Sequence, residues 1–236
     1  MPVPSNDEDP SPKVVLFDLD GTLTDSAPGI LAGLRFALSA MDLPEPDPAT
    51  MRTFLGPPLN VTFAEHFGLS SAHVDEAIRH YRAYYHQGGE LQNAVYDGIL
   101  EVLQSLRGQG AVLAVATSKP TVSATRILEH FELAPSFAVI AGAELDGSRQ
   151  HKADVIAHAL AELQEQGHLT SSPTNADTLV MIGDREHDVL GAARHGIATI
   201  GALWGYGTAQ ELQAAGANAL VEQPVDLLPA LQRITG

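Results

Sequence analysis

The stretch Val14-Val15-Leu16-Phe17-Asp18-Leu19-Asp20-Gly21-Thr22-Leu23 decides the fold. Its first four residues are β-branched, aliphatic and aromatic without a polar interruption, the pattern of a strand buried on both faces. A strand of that kind belongs in a parallel sheet covered by helices. The run then stops abruptly at two carboxylates separated by one residue, followed by Gly21 and Thr22. Further apolar runs that read as buried strands are residues 111–116, 137–140, 178–182 and 198–200. Helical patterns lie between them at about 98–108, 120–131 and 152–166, each with apolar residues three and four apart and a Gly or Pro near one end. The βαβα order predicts a Rossmann-like α/β core with right-handed crossovers. In such sheets ligands sit beyond the carboxyl ends of the strands, so the residues just after each strand are the ones to inspect.

Residues 27–92 break the alternation. They carry helical patterns at about 29–41, 61–67 and 72–85 and no convincing strand. The segment leaves just after the first strand and returns just before 95–106, so it is expected to lie over the first strand's carboxyl end as a cap. The organisation that follows is a disordered tail over 1–13, an α/β core over 14–25 and 95–236, and an inserted all-helical cap over 26–94. The tail is acidic and Pro-rich with no basic-then-apolar signal, and no apolar run reaches the ~18 residues of a membrane span. A cytoplasmic protein with no membrane partner is expected. Residues 170–175 read as a surface loop.

Composition narrows the chemistry. The 236 residues carry 13 basic and 29 acidic side chains, a net charge of −16, which repels nucleic acid backbones and makes nucleic acid an unlikely partner. With no cysteine, thiolate catalysis, disulfides and cysteine-type zinc sites are excluded, and the ten histidines show no HExxH spacing. A metal ion here needs oxygen ligands.

At the strand ends stand Asp18 and Asp20 after the first, Thr117 and Ser118 after the second, and Gly183-Asp184 after the 178–182 strand, with Asp188 following. Lys152 opens a helix between the third and fourth strands. Magnesium suits two carboxylates from different strand ends plus a substrate phosphate. A free carboxylate can attack phosphorus, and a second one two residues on can move the proton of the leaving alcohol and then of water. Hydroxyl and ammonium donors neutralise the equatorial oxygens. Only three lysines occur, Lys13, Lys119 and Lys152, and two of them flank these strand ends.

Four motifs in order, Phe17-Asp18-Leu19-Asp20-Gly21-Thr22-Leu23, Ala116-Thr117-Ser118-Lys119-Pro120, Lys152 in His151-Lys152-Ala153-Asp154, and Ile182-Gly183-Asp184-Arg185-Glu186-His187-Asp188, make the sequence resemble the haloacid dehalogenase superfamily. The resemblance is to its phosphoglycolate phosphatase-like branch with a helical cap, and it runs from Val14 to the end. It implies a phosphatase with Asp18 as nucleophile and Asp20 as general acid/base. It also implies Gly21, Thr117, Ser118 and Lys152 around the phosphate. Magnesium would be held by Asp18, the Asp20 carbonyl and Asp184, with Asp188 behind them. Ala153 replaces the Pro common after the lysine, which is expected to change the local turn and not the lysine's role. Phe54-Leu55-Gly56-Pro57-Pro58-Leu59 resembles the cap turn that faces substrate, and Arg52 beside it is a candidate contact to a second anion. Leu203-Trp204-Gly205-Tyr206-Gly207-Thr208 either borders the site or packs on the core. The substrate expected is a small phosphomonoester such as 2-phosphoglycolate. Alternatives are a nucleoside 5′-monophosphate, a sugar phosphate, a phosphomutase reaction or a non-catalytic binding role; dehalogenation is disfavoured because it needs neither a metal nor Asp20.

Overall fold

The computed structural model describes residues 14–144, 149, 151–169 and 179–235. The tail expected over 1–13 and the loop expected over 170–175 lie outside them. In chain order the elements are β1 (Val14–Phe17), β2 (Thr24–Asp25), α1 (Ala27–Ala40), α2 (Pro48–Arg52), α3 (Leu59–Val61) and α4 (Ser71–His86). They continue with β3 (Ala94–Val95), α5 (Ile99–Gly108), β4 (Val112–Pro120), α6 (Thr121–His130), β5 (Val139–Ala143) and α7 (Lys152–Glu165). The last are β6 (Leu179–Gly183), α8 (Glu186–Ala193), β7 (Ala198–Ala202), α9 (Ala209–Ala215), β8 (Ala219–Val221) and α10 (Leu227–Thr235).

Six strands form one parallel sheet in the order β5-β4-β1-β6-β7-β8. Because β1 pairs with β4 on one side and β6 on the other, the chain builds outward from it in both directions. The crevice at its carboxyl end is therefore the switch point where an open α/β sheet takes its ligand. The four apolar residues of β1 are completely buried. Strand alternation sends Val15 and Phe17 to the face covered by α5, α6 and α10. Val14 and Leu16 go to the other face, against Val155, Ile156, Ala159 and Leu163 of α7. Both faces being apolar is what the unbroken run in the sequence encodes.

From α1 to α4 the chain is helical and buries a cluster of its own, with Leu34 and Leu38 of α1, Met51 of α2, Phe63, and Tyr81 and Tyr85 of α4. The close approach of α1 to α4 passes through Gly33, where a Cβ would lie 2.8 Å from the Tyr81 ring. A π-helical turn at Thr62–His66 places Phe63 in this cluster. Asp47 caps α2, its Oδ1 accepting from the backbone N–H groups of Ala49 and Thr50, with Pro48 in the first helical position.

Two differences from the sequence reading have local causes. β5 starts at Val139 because Ala134–Ser136 forms a 3₁₀ turn and Phe137 packs edge-on against Phe17, ring centroids 6.2 Å apart. The pair β2–β3 was not expected, and it takes Ala94 out of the stretch read as helical throughout. It joins Thr24 to Val95 and Asp25 to Ala94 in antiparallel register, and two residues are too few for alternation to register. No helix among the described residues is long and apolar enough to cross a membrane.

Leu16 has no exposed surface, whereas Val122 on α6 is 60% exposed. Leu16→Ala is expected to cost about 2–5 kcal/mol in urea unfolding, from lost burial plus the cavity left between β1 and α7. Val122→Ala is expected to move stability by less than about 0.5 kcal/mol.

Candidate active site

Beyond β1 the backbone folds into a tight loop. The Asp18 N–H donates to Ile182 O (2.9 Å), and Leu19 O accepts from both Leu23 and Thr24 (3.0 Å each). Gly21 holds φ at +82°, and a Cβ there would collide with the Asp184 carboxylate. Glycine is thus required on two counts, its left-handed backbone and the approach of the acid. This loop delivers Asp18 and Asp20 to the end of the sheet, next to Thr117 from β4 and Asp184 from the end of β6.

Lys152, the first residue of α7, extends beneath the loop. Its Nζ lies 2.9 Å from Asp18 Oδ1 and 2.7 Å from Asp188 Oδ1, and it donates to Ala116 O at 3.0 Å. Burial alone would lower the Lys152 pKa, but the charges of Asp18 and Asp188 outweigh it and raise the value. The ammonium is therefore held charged. Ala153 follows without disturbing this, since His151 takes an extended conformation and Lys152 starts the helix cleanly.

Asp184 is fully buried and held from two sides. Thr22 Oγ1 donates to its Oδ1 at 3.1 Å, and the Tyr206 N–H donates to its Oδ2 at 2.8 Å. The turn around Tyr206 can reach it because Gly205 and Gly207 carry no Cβ, each of which would strike Asp184. Trp204 Nε1 donates to Thr22 O at 3.0 Å, so this turn both borders the site and packs on the core. Asp188 accepts at Oδ2 from the Arg185 N–H, 3.0 Å away, at the start of α8.

Asp20 faces elsewhere. Its Oδ2 pairs with Lys119 Nζ at 2.8 Å, and Lys119 also donates to Tyr85 OH on α4 at 2.7 Å. Thr117 is buried, and its Oγ1 accepts from the Lys119 N–H at 3.2 Å. The cluster thus gathers Asp18, Gly21, Thr117, Lys152, Asp184 and Asp188, with Asp20 at its edge. Ser118 and Arg52 are exposed and stand outside these buried contacts. Thr22, Lys119, Tyr85 and Arg185 complete the site and were given no role from sequence, and Tyr206 comes from the turn that the sequence left either bordering the site or packing on the core. For Lys119 the signal was present in the scarcity of lysine; for Tyr85 there was none, since it occupies an ordinary core position of an amphipathic helix.

Four likenesses to known proteins bear on this site. A family model described as haloacid dehalogenase-like hydrolase matches residues 15–202. A curated 5′-nucleotidase of Pseudomonas aeruginosa is 45% identical over 85% of this chain and 86% of its own length. The crystal structure of a predicted phosphatase from Clostridium acetobutylicum superposes with a TM-score of 0.85 at 41% identity, covering 94% of this chain and 99% of that one. The structure of protein tyrosine kinase A (PtkA) from Mycobacterium tuberculosis superposes with a TM-score of 0.79 at 45% identity, covering 94% and 98%.

Among the described residues, Asp18, Asp184 and Asp188 form the group of acids whose oxygens lie close enough, within 4.8 Å of one another, to share a metal ion. All three are buried, and when all are ionised the single ammonium of Lys152 leaves two of their three negative charges uncompensated. An all-oxygen set with that excess fits a hard divalent cation. Without one, burial pushes the Asp184 carboxyl well above its ordinary value, with the charges of Asp188 and Asp18 adding to the effect. Burial raises Asp188 as well, and Lys152 pulls it part of the way back.

The sign of the resulting pH dependence is fixed. Asp184 holds its proton more tightly folded than unfolded, so the unfolded chain loses that proton first as pH rises past the ordinary 3.8. Metal-free stability therefore falls as pH climbs from there through the raised folded value. Asp184→Asn, with no proton to lose, is expected to unfold at higher temperature than the wild type near pH 7 in a chelating buffer. The difference should close as pH is lowered toward about 4. Added magnesium should raise the melting temperature of the wild type and leave that of Asp184→Asn nearly unmoved.

Proposed function

The chain belongs to the haloacid dehalogenase-like hydrolase family and is a phosphatase, and from that premise we propose that it hydrolyses a small phosphomonoester with magnesium through a phosphate carried on Asp18. The observation that carries this reading is the clamp on Asp18. Lys152 holds Oδ1 and stands between Asp18 and Asp188, so the second oxygen, Oδ2, is the one left for phosphorus.

In this reading Asp18 Oδ2 attacks phosphorus, the bond to the alcohol oxygen breaks with its electron pair, and Asp20 supplies the proton that oxygen needs. Water then attacks the acyl phosphate, Asp20 takes the water's proton, and Asp18 returns as a free carboxylate. Lys152 and the buried hydroxyl of Thr117 bind the non-bridging oxygens, and the backbone around Gly21 and Ser118 lines the phosphate's approach. Asp18, the Asp20 carbonyl and Asp184 would hold magnesium, with Asp188 anchoring Lys152 behind them. When bound, the ion neutralises charge on the phosphate and orients it for in-line attack.

The helical segment from α1 to α4 is proposed as a cap that reads the leaving group. Two contacts support it. Tyr85 reaches Lys119 beside Asp20, and the turn at Leu55-Gly56 meets Arg185, whose guanidinium donates to Leu55 O. Family resemblance suggests 2-phosphoglycolate as substrate, with Arg52 contacting its carboxylate. A nucleoside 5′-monophosphate is the second reading, favoured by the identity to the Pseudomonas 5′-nucleotidase. We place the protein in the cytoplasm.

Asp18→Asn is expected to abolish hydrolysis of p-nitrophenyl phosphate in the presence of magnesium while the variant still folds, as a single cooperative thermal transition would show. Near-normal turnover by that variant would rule out the covalent route. A panel of 2-phosphoglycolate, nucleoside monophosphates, sugar phosphates and phosphotyrosine tests the cap reading. If phosphoglycolate leads in kcat/KM, Arg52→Ala should raise its KM and spare p-nitrophenyl phosphate. If nucleotides lead, the second reading replaces the first.

A further inference from the structure

Lys119 is one of two lysines at the strand ends, and the clamp on Asp18 does not use it. Its side chain is 6% exposed, and its ammonium makes two short contacts on opposite sides, Asp20 Oδ2 at 2.8 Å and Tyr85 OH at 2.7 Å. The same ammonium lies 4.8 Å from the centre of the Tyr85 ring. Tyr85 in turn stacks on Tyr81, ring centroids 5.3 Å apart and nearly parallel, and Tyr81 is the ring pressed against α1 at Gly33. A chain of contacts therefore runs from the helical cluster into the sheet, and its inner end is the carboxylate of Asp20.

The two oxygens of that carboxylate are treated unequally. Oδ2 is taken by Lys119, while Oδ1 is buried and accepts no hydrogen bond among the described residues. A carboxyl held at one oxygen by an ammonium that Tyr85 also holds has its rotation fixed. We propose that Lys119 is the positioning residue for Asp20, fixing how its carboxyl faces the leaving-group oxygen, and that Tyr85 makes this positioning depend on the seating of α4. The inference rests on the phosphatase reading and on Asp20 as its proton donor. In the step concerned, the bond from phosphorus to the alcohol oxygen breaks, the electron pair stays on that oxygen, and Asp20, carrying a proton when the substrate is bound, gives that proton to it.

The chemistry of the leaving group separates positioning from binding or folding. p-Nitrophenolate departs with little protonation, whereas an alkoxide needs it, so misplacing the acid harms an alkyl phosphate far more than an aryl one. The measurement is release of alcohol in a single turnover, with excess enzyme and saturating magnesium, for p-nitrophenyl phosphate and for an alkyl phosphate that the wild type accepts. In Lys119→Met the rate on the alkyl ester is expected to fall at least about tenfold further than on the aryl ester. Tyr85→Phe keeps the ring over the ammonium and removes only the hydroxyl; it should shift the ratio in the same direction by a smaller factor, and it serves if Lys119→Met does not fold. Equal slowing of both esters, or a common rise in KM with the ratio unchanged, would assign Lys119 to substrate binding or to the fold and overturn the inference alone. A wild type that cleaves neither ester would overturn the phosphatase reading along with it.

Discussion

The ammonium of Lys152 between Asp18 and Asp188 is the interaction on which the rest of the arrangement depends. A charged amine out of water is tolerable only where opposite charge and hydrogen-bond acceptors surround it, and here both carboxylates and Ala116 O do so. Removing one partner from a buried pair of this kind leaves an uncompensated charge, at a cost of about 3–5 kcal/mol. The contact also fixes architecture, because its members come from the end of β1, the start of α7, the first turn of α8 and the backbone of β4. Gly191 lets α8 approach the Lys152 stem where a Cβ would crowd it. The side chain that holds Asp18 is thus the same one that sets how two helices lie on the sheet.

Asp184 shows how the surrounding loops serve the charge. It is gripped by a hydroxyl from the first loop and a backbone N–H from the turn after β7, and glycines on both loops let them close in. Groups fixed in this way need not reorganise when charge develops nearby, which is where electrostatic catalysis draws its strength. The next residue, Arg185, turns outward. Its guanidinium donates to Glu211 (2.7 Å) on α9 and to Leu55 O in the helical segment, while its own N–H holds Asp188. Two consecutive residues therefore face the acid cluster and the helical segment respectively.

The sheet and the acid cluster were legible in the sequence because both rest on local pattern. Unbroken apolar runs ending in Asp or Thr can be read one strand at a time, and the rule that ligands gather at strand ends then assembles Asp18, Thr117, Asp184 and Lys152 without coordinates. What stayed hidden depends on distant pairing. Asp20 sits two residues from Asp18, yet its carboxylate goes to Lys119, ninety-nine positions away in the chain and then on to Tyr85. Tyr206 contributes through its backbone N–H, which no side-chain pattern announces. The two-residue strands β2 and β3 are too short to leave a periodic trace. Arg52 and Ser118 were singled out by neighbourhood to recognisable motifs, and the fold leaves both at the surface.

The antiparallel pair of β2 and β3 places the departure and the return of the helical segment side by side, Asp25 opposite Ala94. The chain therefore enters and leaves that whole segment through a single doorway two residues wide. Since the entropy of closing a loop grows only with the logarithm of its length, the segment can be lengthened, shortened or exchanged for another at small cost to the sheet. A lineage that keeps the doorway can trade one helical segment for another while β1 and the loop after it stay as they are.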